Sequence, residues 1–183
     1  EEVKGTLRGT AYHRFFEILN YDCCKDYNSI EEYLKTSVAA GKISKEYAGL
    51  INLKRFEEFL QTNLGKRMGS AYKKGLLFRE QPFIMELGAD MIDKEYPSDE
   101  KILVQGIVDA FFFEDDKVYI VDYKTDRVEQ GKAGEKALTE RYHKQLELYA
   151  DTISRVTGKE TGGCYIYSTC LKKEILIESP SYT

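Results

Sequence analysis

GIVDAFFFEDDKVYIVDYK, residues 106–124, is the stretch of this sequence that decides the fold. Two apolar runs flank the polar segment EDDK at 114–117, a pattern typical of two antiparallel strands joined by a tight turn. A loop of two or of four residues there sets a pairing in which Asp109 lies opposite Asp122. A loop of three or five residues would shift the pairing by one.

The two strands of this hairpin carry apolar side chains on both faces. Side chains alternate along a strand, so Lys124 shares a face with Asp122. The same face is predicted to carry Asp109, Phe111, Phe113, Val118 and Ile120. The opposite face is predicted to carry Val108, Ala110, Phe112, Tyr119, Val121 and Tyr123. The strands are therefore expected to be central and covered on both sides.

Two opposed carboxylates at the end of such a pair repel each other, and burial makes their charged forms costlier. A divalent cation resolves this conflict, and Mg²⁺ often takes one or two carboxylates together with waters and a substrate phosphate. Lys124 adds a positive charge for a phosphate oxygen or an activated water. The alternative is a surface salt-bridge cluster, which the opposed Asp109 and the apolar strands disfavour.

On the N-terminal side of the hairpin, the sequence predicts a series of helices. Apolar residues at helical spacing predict one helix over 10–20 and an amphipathic one over 53–64 that Gly65 helps to end. Ser29 opens a capping-box pattern, and Ser44 begins another helix. Residues 6–75 are therefore expected to be mainly helical.

Residues 76–178 are expected to be rich in strands, with one long helix inserted. The apolar patterns predict strands over 76–87, 102–113, 118–124, 164–168 and 174–177, and a helix over 135–156. This order favours an α/β or α+β layered domain.

Composition limits the class of protein. A chain of 183 residues with 42% hydrophobic and 32% charged residues suits one soluble globular domain. The apolar runs are too short to span a bilayer, and the start, EEVK, resembles no signal peptide. We therefore predict a cytoplasmic protein with no membrane partner. The missing initiator Met indicates a fragment.

The four cysteines, Cys23, Cys24, Cys164 and Cys170, form no C-x-x-C pair and are interpreted as reduced thiols. An iron–sulfur cluster is the alternative, but its close cysteine spacing is missing. The net charge of −4 argues against a protein that coats nucleic acid by charge alone, although an acidic metal centre accounts for part of it.

Five short motifs follow one another along residues 5–150: GTAYH (9–13), REQPF (79–83), QGIVD (105–109), VDYKTD (121–126) and QLELY (145–149). In content and order they resemble the PD-(D/E)XK nuclease superfamily, and within it the RecB/AddA-type branch. Each motif alone is weak, but five in order are specific. The resemblance implies an α/β fold, with a mixed central sheet flanked by helices in a restriction-endonuclease-like core and an N-terminal helical region.

The resemblance also implies site roles. Asp109 and Asp122 would bind the catalytic metal, with the Tyr123 backbone carbonyl and His13 as further ligands. Lys124 would position or activate the attacking water and steady charge on the phosphate.

Three further residues take supporting roles under the same resemblance. Gln145 and Tyr149 lie four apart on one helix face and would flank the site, holding the DNA strand or the catalytic groups. Glu80 would orient the site or assist a second metal.

The activity implied is that of a Mg²⁺-dependent deoxyribonuclease, with Mn²⁺ as a substitute and no iron–sulfur cluster. The whole chain, residues 1–183, would be one nuclease domain of a larger helicase–nuclease, an exonuclease that acts in double-strand-break repair and recombination. Single-stranded DNA, a helicase portion of the same polypeptide and an AddB-like subunit would be its partners. The motor would lie elsewhere, because the chain has no G-x-x-x-x-G-K-[ST] sequence.

Two alternatives remain open. The domain could bind metal and DNA but have lost cleavage, which the intact D…D-x-K set disfavours. It could instead be a structural or protein-interaction domain of a repair complex, which would bind no Mg²⁺.

Overall fold

The computed structural model describes residues 2–88, 97 and 99–177. Five helices come first: α1 (Glu2–Ile18), α2 (Tyr27–Ala39), α3 (Lys45–Leu50), α4 (Leu53–Gln61) and α5 (Asn63–Lys73). Then follow β1 (Leu77–Gly88), β2 (Lys101–Glu114), β3 (Lys117–Lys124), α6 (Lys132–Thr157), β4 (Thr161–Ser168) and β5 (Lys173–Ile177). The predicted strand-rich region includes residues 89–96, 98 and 178, which lie outside the described residues. None of the described helices is long and apolar enough to cross a bilayer.

The strands form one sheet in the order β1-β2-β3-β4-β5. The β3–β4 pair is parallel and the other three pairs are antiparallel. A parallel pair needs a crossover connection, and α6 supplies it. The predicted mixed central sheet with flanking helices is confirmed.

The hairpin that decides the fold has the predicted register. Glu114 pairs with Lys117, and the pairing continues to Ala110 with Val121. The two turn residues, Asp115 and Asp116, both have positive φ, 48° and 64°. That backbone is the one a two-residue hairpin turn requires, because its twist matches the twist of the strands.

Two apolar layers cover the sheet. On one face, helices α1 to α5 pack against alternate positions of the hairpin: Ala110, Phe112, Val121 and Tyr123. On the other face, α6 packs against Val108, Phe111, Val118 and Ile120. The central strands are covered on both sides, as predicted from their apolar faces.

The predicted face of Val108 is wrong. Strict alternation puts it with Ala110, but it packs in the α6 layer with Phe111. The alternation is interrupted where Glu80 and Asp109 lie, between the Arg79–Ala110 and Gln81–Val108 pairs. Glu80 has a φ of 49°, a left-handed backbone that a residue with a Cβ adopts only under constraint. This kink in β1 and β2 brings two carboxylates to one point of the sheet.

Helix starts differ from the prediction in three places, and one of them is α6, which begins at Lys132 instead of residue 135. The first helix begins at Glu2 instead of residue 10. The second begins at Tyr27, because the Asp26 side chain accepts a hydrogen bond from the backbone N–H of Ser29. Asp26 is therefore the N-cap, three residues before the predicted one. Ser29 is the third residue of the helix, and its side chain completes the capping box.

The predicted helix break at Gly65 is also wrong, because the next helix, α5, begins at Asn63 and contains Gly65. Thr62 caps α5 by accepting a hydrogen bond from Gly65 N. Gly65 is buried, and a Cβ at this position would lie 2.2 Å from the backbone oxygen of Phe59. The missing side chain allows α4 and α5 to meet at a sharp corner.

Gly65→Ala is expected to lower the free energy of unfolding by about 1–3 kcal/mol, because the added methyl meets backbone that cannot move aside. Gly49→Ala is the matched control, since a Cβ at this exposed helical glycine meets nothing within 4 Å. It should be neutral or raise stability by up to about 1 kcal/mol. Urea denaturation of both variants measures the difference. Equal effects would show that the corner does not depend on Gly65.

Candidate active site

The site lies where the sheet forks. Regular pairing between β2 and β3 stops at Ala110–Val121. From there β2 continues with β1 as far as Lys101, while β3 ends at Lys124. The next residues along the register are Asp109 and Asp122. The fork opens space between the strands at the point where both carboxylates project.

Asp109 is held by two donors. Its Oδ2 accepts a hydrogen bond of 2.8 Å from the backbone N–H of Tyr123, across the fork. Its Oδ1 lies 3.1 Å from His13 Nδ1, within reach of a protonated ring nitrogen. Asp109 is only 9% exposed. Both contacts fix the orientation of the carboxylate.

His13 reaches the site because α1 is anchored on β3. The ring of Phe16 stacks on the Tyr123 ring with centroids 3.8 Å apart and planes within 2°. Phe15 and Phe16 are fully buried, so this face of α1 is fixed in the helical layer. Burial lowers the pKa of His13, but the hydrogen bond and the charge of Asp109 outweigh it and raise that pKa above its ordinary value.

Glu80 completes a group of three. The ligand atoms of His13, Glu80 and Asp109 all lie within 4.8 Å of one another. Burial, together with the charge of Asp109, raises the pKa of Glu80 to about 7. Carboxylate and imidazole ligands suit a divalent cation, and a ligating histidine is commonly oriented by the hydrogen bond that its other ring N–H donates to a carboxylate. These residues therefore fit a divalent metal ion.

Asp122 and Lys124 lie beside this group on the α6 face of the sheet. Asp122 is 1% exposed, and its Oδ2 lies 2.7 Å from Lys124 Nζ. Burial and the charge of Asp109 raise the pKa of Asp122 to about 6, against the opposing effect of Lys124. Burial lowers the pKa of Lys124, but the charge of Asp122 outweighs it and leaves that pKa raised.

Gln145 and Tyr149 stand behind the lysine on α6. Lys124 Nζ lies 3.4 Å from Gln145 Oε1, and Gln145 Nε2 donates to the Tyr149 hydroxyl at 2.6 Å. The Tyr149 ring packs edge-on against Phe83 of β1. Gln145 thus contacts the lysine, and Tyr149 fixes Gln145.

The structure therefore brings seven of the predicted site residues together through side chains, in two sets. The first set is His13, Glu80 and Asp109, and the second is Asp122, Lys124, Gln145 and Tyr149. Tyr123 differs, because its side chain is buried in the helical layer and its backbone alone lies next to Asp109.

Sequence reasoning missed one neighbour of Lys124 and the residue that holds this neighbour. The Tyr142 ring lies under the ammonium, with Nζ 4.0 Å from its centroid. Asp126 accepts a hydrogen bond from the Tyr142 hydroxyl at 2.8 Å. The spacing of Tyr142, Gln145 and Tyr149, three and then four residues, is the signal that could have indicated the first of them.

Comparison with known proteins adds two findings. The sequence model of the PD-(D/E)XK nuclease superfamily matches residues 1–180. Among similar curated proteins are several whose names describe the A-type subunits of ATP-dependent helicase/nucleases. One from Clostridium perfringens strain SM101 is 35% identical over 97% of this chain, and one from Clostridium botulinum strain Alaska E43 is 37% identical over 96%. One from Lachnoclostridium phytofermentans is 31% identical over 98%. The chain spans only 14 to 15% of the length of these relatives.

The raised pKa of Glu80 predicts how stability without metal depends on pH. Below about pH 4.5 the Glu80 side chain is protonated in both the folded and the unfolded protein, so its ionisation does not lower the free energy of unfolding. As the pH rises through 7, the folded state must ionise it against burial and Asp109, and stability is lost. Glu80→Gln should therefore raise the melting temperature in EDTA at pH 8 by about 2–4 °C, since solvent screens part of the cost of a half-buried group. At pH 4.5 it should change little.

Thermal melting across this pH range measures the effect, with the exposed Glu129→Gln as the matched control. That variant should follow the parent at every pH. A Glu80→Gln protein that is less stable than the parent at pH 8 in EDTA would show that the Glu80 carboxylate serves the fold.

Proposed function

The chain belongs to the PD-(D/E)XK nuclease superfamily, and from this premise we propose that it is a Mg²⁺-dependent deoxyribonuclease domain that hydrolyses phosphodiester bonds. Membership confirms the resemblance drawn from the five motifs, and the relatives, named as A-type subunits of helicase–nucleases, agree with the RecB/AddA-type branch. The five-stranded mixed sheet with flanking helices is the restriction-endonuclease-like α/β fold that the resemblance implied.

One observation carries the proposal: a three-residue ligand group and a buried carboxylate–lysine pair lie side by side at the fork of the sheet. His13, Glu80 and Asp109 supply the ligand group. Asp122 and Lys124 supply the pair. A structural salt-bridge cluster would need no third carboxylate in the same place, and each additional carboxylate that loses solvent costs stability.

The family resemblance assigns the ligand roles to four residues: His13 and Asp109 from the three-residue group, Asp122 from the carboxylate–lysine pair, and the backbone of Tyr123. Asp109 and Asp122 are the carboxylate ligands, His13 adds an imidazole nitrogen, and the Tyr123 carbonyl adds a backbone oxygen. Glu80 orients this set or serves a second ion. When bound, Mg²⁺ supplies charge neutralisation on the phosphate and lowers the pKa of a water.

Lys124 serves the reacting phosphate. Its ammonium stays protonated because the charge of Asp122 raises its pKa, so it donates hydrogen bonds to a phosphate oxygen or to the attacking water. Gln145 and Tyr149 restrict where the ammonium can lie. Such fixed charge acts where negative charge develops on the phosphate.

The larger setting belongs to the same proposal. Because the chain spans 14 to 15% of its relatives, residues 1–183 would be the nuclease domain of a longer cytoplasmic polypeptide. A helicase portion would deliver DNA, in single-stranded form, and an AddB-like subunit would be the partner. The domain would act as an exonuclease in double-strand-break repair and recombination.

Cleavage should depend on the metal. Labelled single-stranded DNA should be cut in Mg²⁺ or Mn²⁺ and left intact in EDTA. Ca²⁺ should support little cutting, because it is larger and less strict in its geometry. Gel analysis of the products measures this. Equal cutting in EDTA would contradict the proposal, and Mg²⁺ binding without any cutting would favour a DNA-binding module that has lost catalysis.

Two variants separate chemistry from metal binding. Lys124→Ala should lower turnover by at least about 100-fold yet keep most of the Mg²⁺ affinity, because an ammonium is no metal ligand. Asp122→Ala should lose both. Calorimetric Mg²⁺ titration and single-turnover cleavage measure the two properties, with the exposed Lys132→Ala as the control. A loss of Mg²⁺ binding confined to Lys124→Ala would reverse these roles.

A further inference from the structure

We propose that Tyr142 is a positioning residue for Lys124, with its ring holding the ammonium and Asp126 holding the ring. The inference rests on the proposed nuclease function. It adds to the Gln145 contact a second interaction that positions the lysine ammonium. It concerns the α6 side of the fork, one helical turn before Gln145.

The ammonium of Lys124 has three neighbours of different kinds. Nζ lies 2.7 Å from Asp122 Oδ2, 3.4 Å from Gln145 Oε1 and 4.0 Å from the centroid of the Tyr142 ring. The lysine side chain is 13% exposed. A lysine has a flexible four-carbon stem, so its charged end lies in one place only when several partners restrict it.

These neighbours differ in whether they compete with a metal. Asp122 is a proposed ligand, so a lysine held by Asp122 alone would share its partner with the cation. The face of an aromatic ring attracts an ammonium through the quadrupole of the ring and offers no oxygen to a cation. Tyr142 can therefore hold the Lys124 ammonium while both carboxylate oxygens of Asp122 remain free to bind a cation.

The ring itself is fixed from its far end. The Tyr142 hydroxyl donates to Asp126 Oδ1 at 2.8 Å, and Arg141 Nη1 donates to the same oxygen at 2.7 Å. Asp126 follows Lys124 by two residues, so one short segment carries both the lysine and the anchor of the ring. A contact with α1 holds this segment in place, because Arg8 Nη2 donates a hydrogen bond of 3.0 Å to the Thr125 carbonyl oxygen.

One face of α6 carries the residues that position the lysine. Tyr142, Gln145 and Tyr149 lie three and four residues apart, so they line one face of α6 over successive turns. Gln145 and Tyr142 contact the ammonium, while Tyr149 contacts Gln145. One helix face thus presents an amide and a ring to the same positive charge.

Matched variants of the full 183-residue chain test the ring. Tyr142→Phe keeps the ring and loses the hydroxyl, whereas Tyr142→Leu loses the ring. With single-stranded DNA and Mg²⁺, Tyr142→Leu should lower kcat about tenfold while KM stays within about twofold of the parent. Tyr142→Phe should retain most of kcat, and Asp126→Ala should lie between the two. His143→Leu, a change at the next, partly exposed position, should match the parent.

A spectroscopic readout tests the placement without relying on nuclease activity. The ring current of an aromatic ring shields protons that lie over its face, so the Lys124 ε-methylene protons should be shifted upfield in the parent and in Tyr142→Phe. In Tyr142→Leu the shift should vanish. Circular dichroism confirms that each variant is folded.

Three outcomes would overturn the inference. The first is an unshifted Lys124 signal in the parent, and the second is an unchanged kcat in Tyr142→Leu. The third is a rise in KM without a fall in kcat, which would make Tyr142 a contact for DNA bases. An inactive parent whose Lys124 signal is shifted and ring-dependent would refute the proposed function and uphold the placement of the ammonium.

Discussion

The confinement of three carboxylates at the fork of the sheet is the constraint on which the rest of the structure depends. Asp109, Asp122 and Glu80 face two basic groups, Lys124 and His13, and burial raises the pKa of Asp122 and of Glu80. Like charges held at close range in a partly desolvated site oppose folding. The surrounding elements supply compensation: a backbone N–H for Asp109, an ammonium for Asp122 and an imidazole from α1.

The two helical layers contribute different chemistry to this point. α1 is anchored by the stack of Phe16 on Tyr123 and delivers His13 beside Asp109. α6 covers the opposite face and delivers Gln145 to the lysine. A sheet covered on both sides can thus place His13 on one side of the fork and the Lys124 ammonium on the other, while the core fixes both.

The sequence predicted the parts that depend on periodicity and pairing. The hairpin register followed from counting inward from the turn, and the layered domain followed from the order of elements. The mixed sheet was implied by the family resemblance. The interrupted alternation at Glu80 and Asp109 could not be predicted, because Glu80 adopts a left-handed backbone that nothing in its side chain signals. The kink reversed the face of Val108 and brought Glu80 to the ligand group.

Local chemistry decided the other differences. Asp26 and Ser29 both suit a cap, and only the hydrogen bonds decide which of them closes the helix. Gly65 resembled a stop, but its missing Cβ serves a corner between two helices. The motifs indicated the residues that meet at the fork, whereas Tyr142 became visible only in the packing of α6 against Lys124.

Whether the fork is built to hold a cation is tested most directly by diffraction from crystals soaked in Mn²⁺. The anomalous signal locates Mn²⁺ without reference to activity. We expect one strong peak at metal–ligand distance, about 2.0–2.3 Å, from an oxygen of Asp109 and a nitrogen of His13. A saturating soak that leaves this position empty, or that places Mn²⁺ only at exposed acidic residues, would contradict a fork built for a cation.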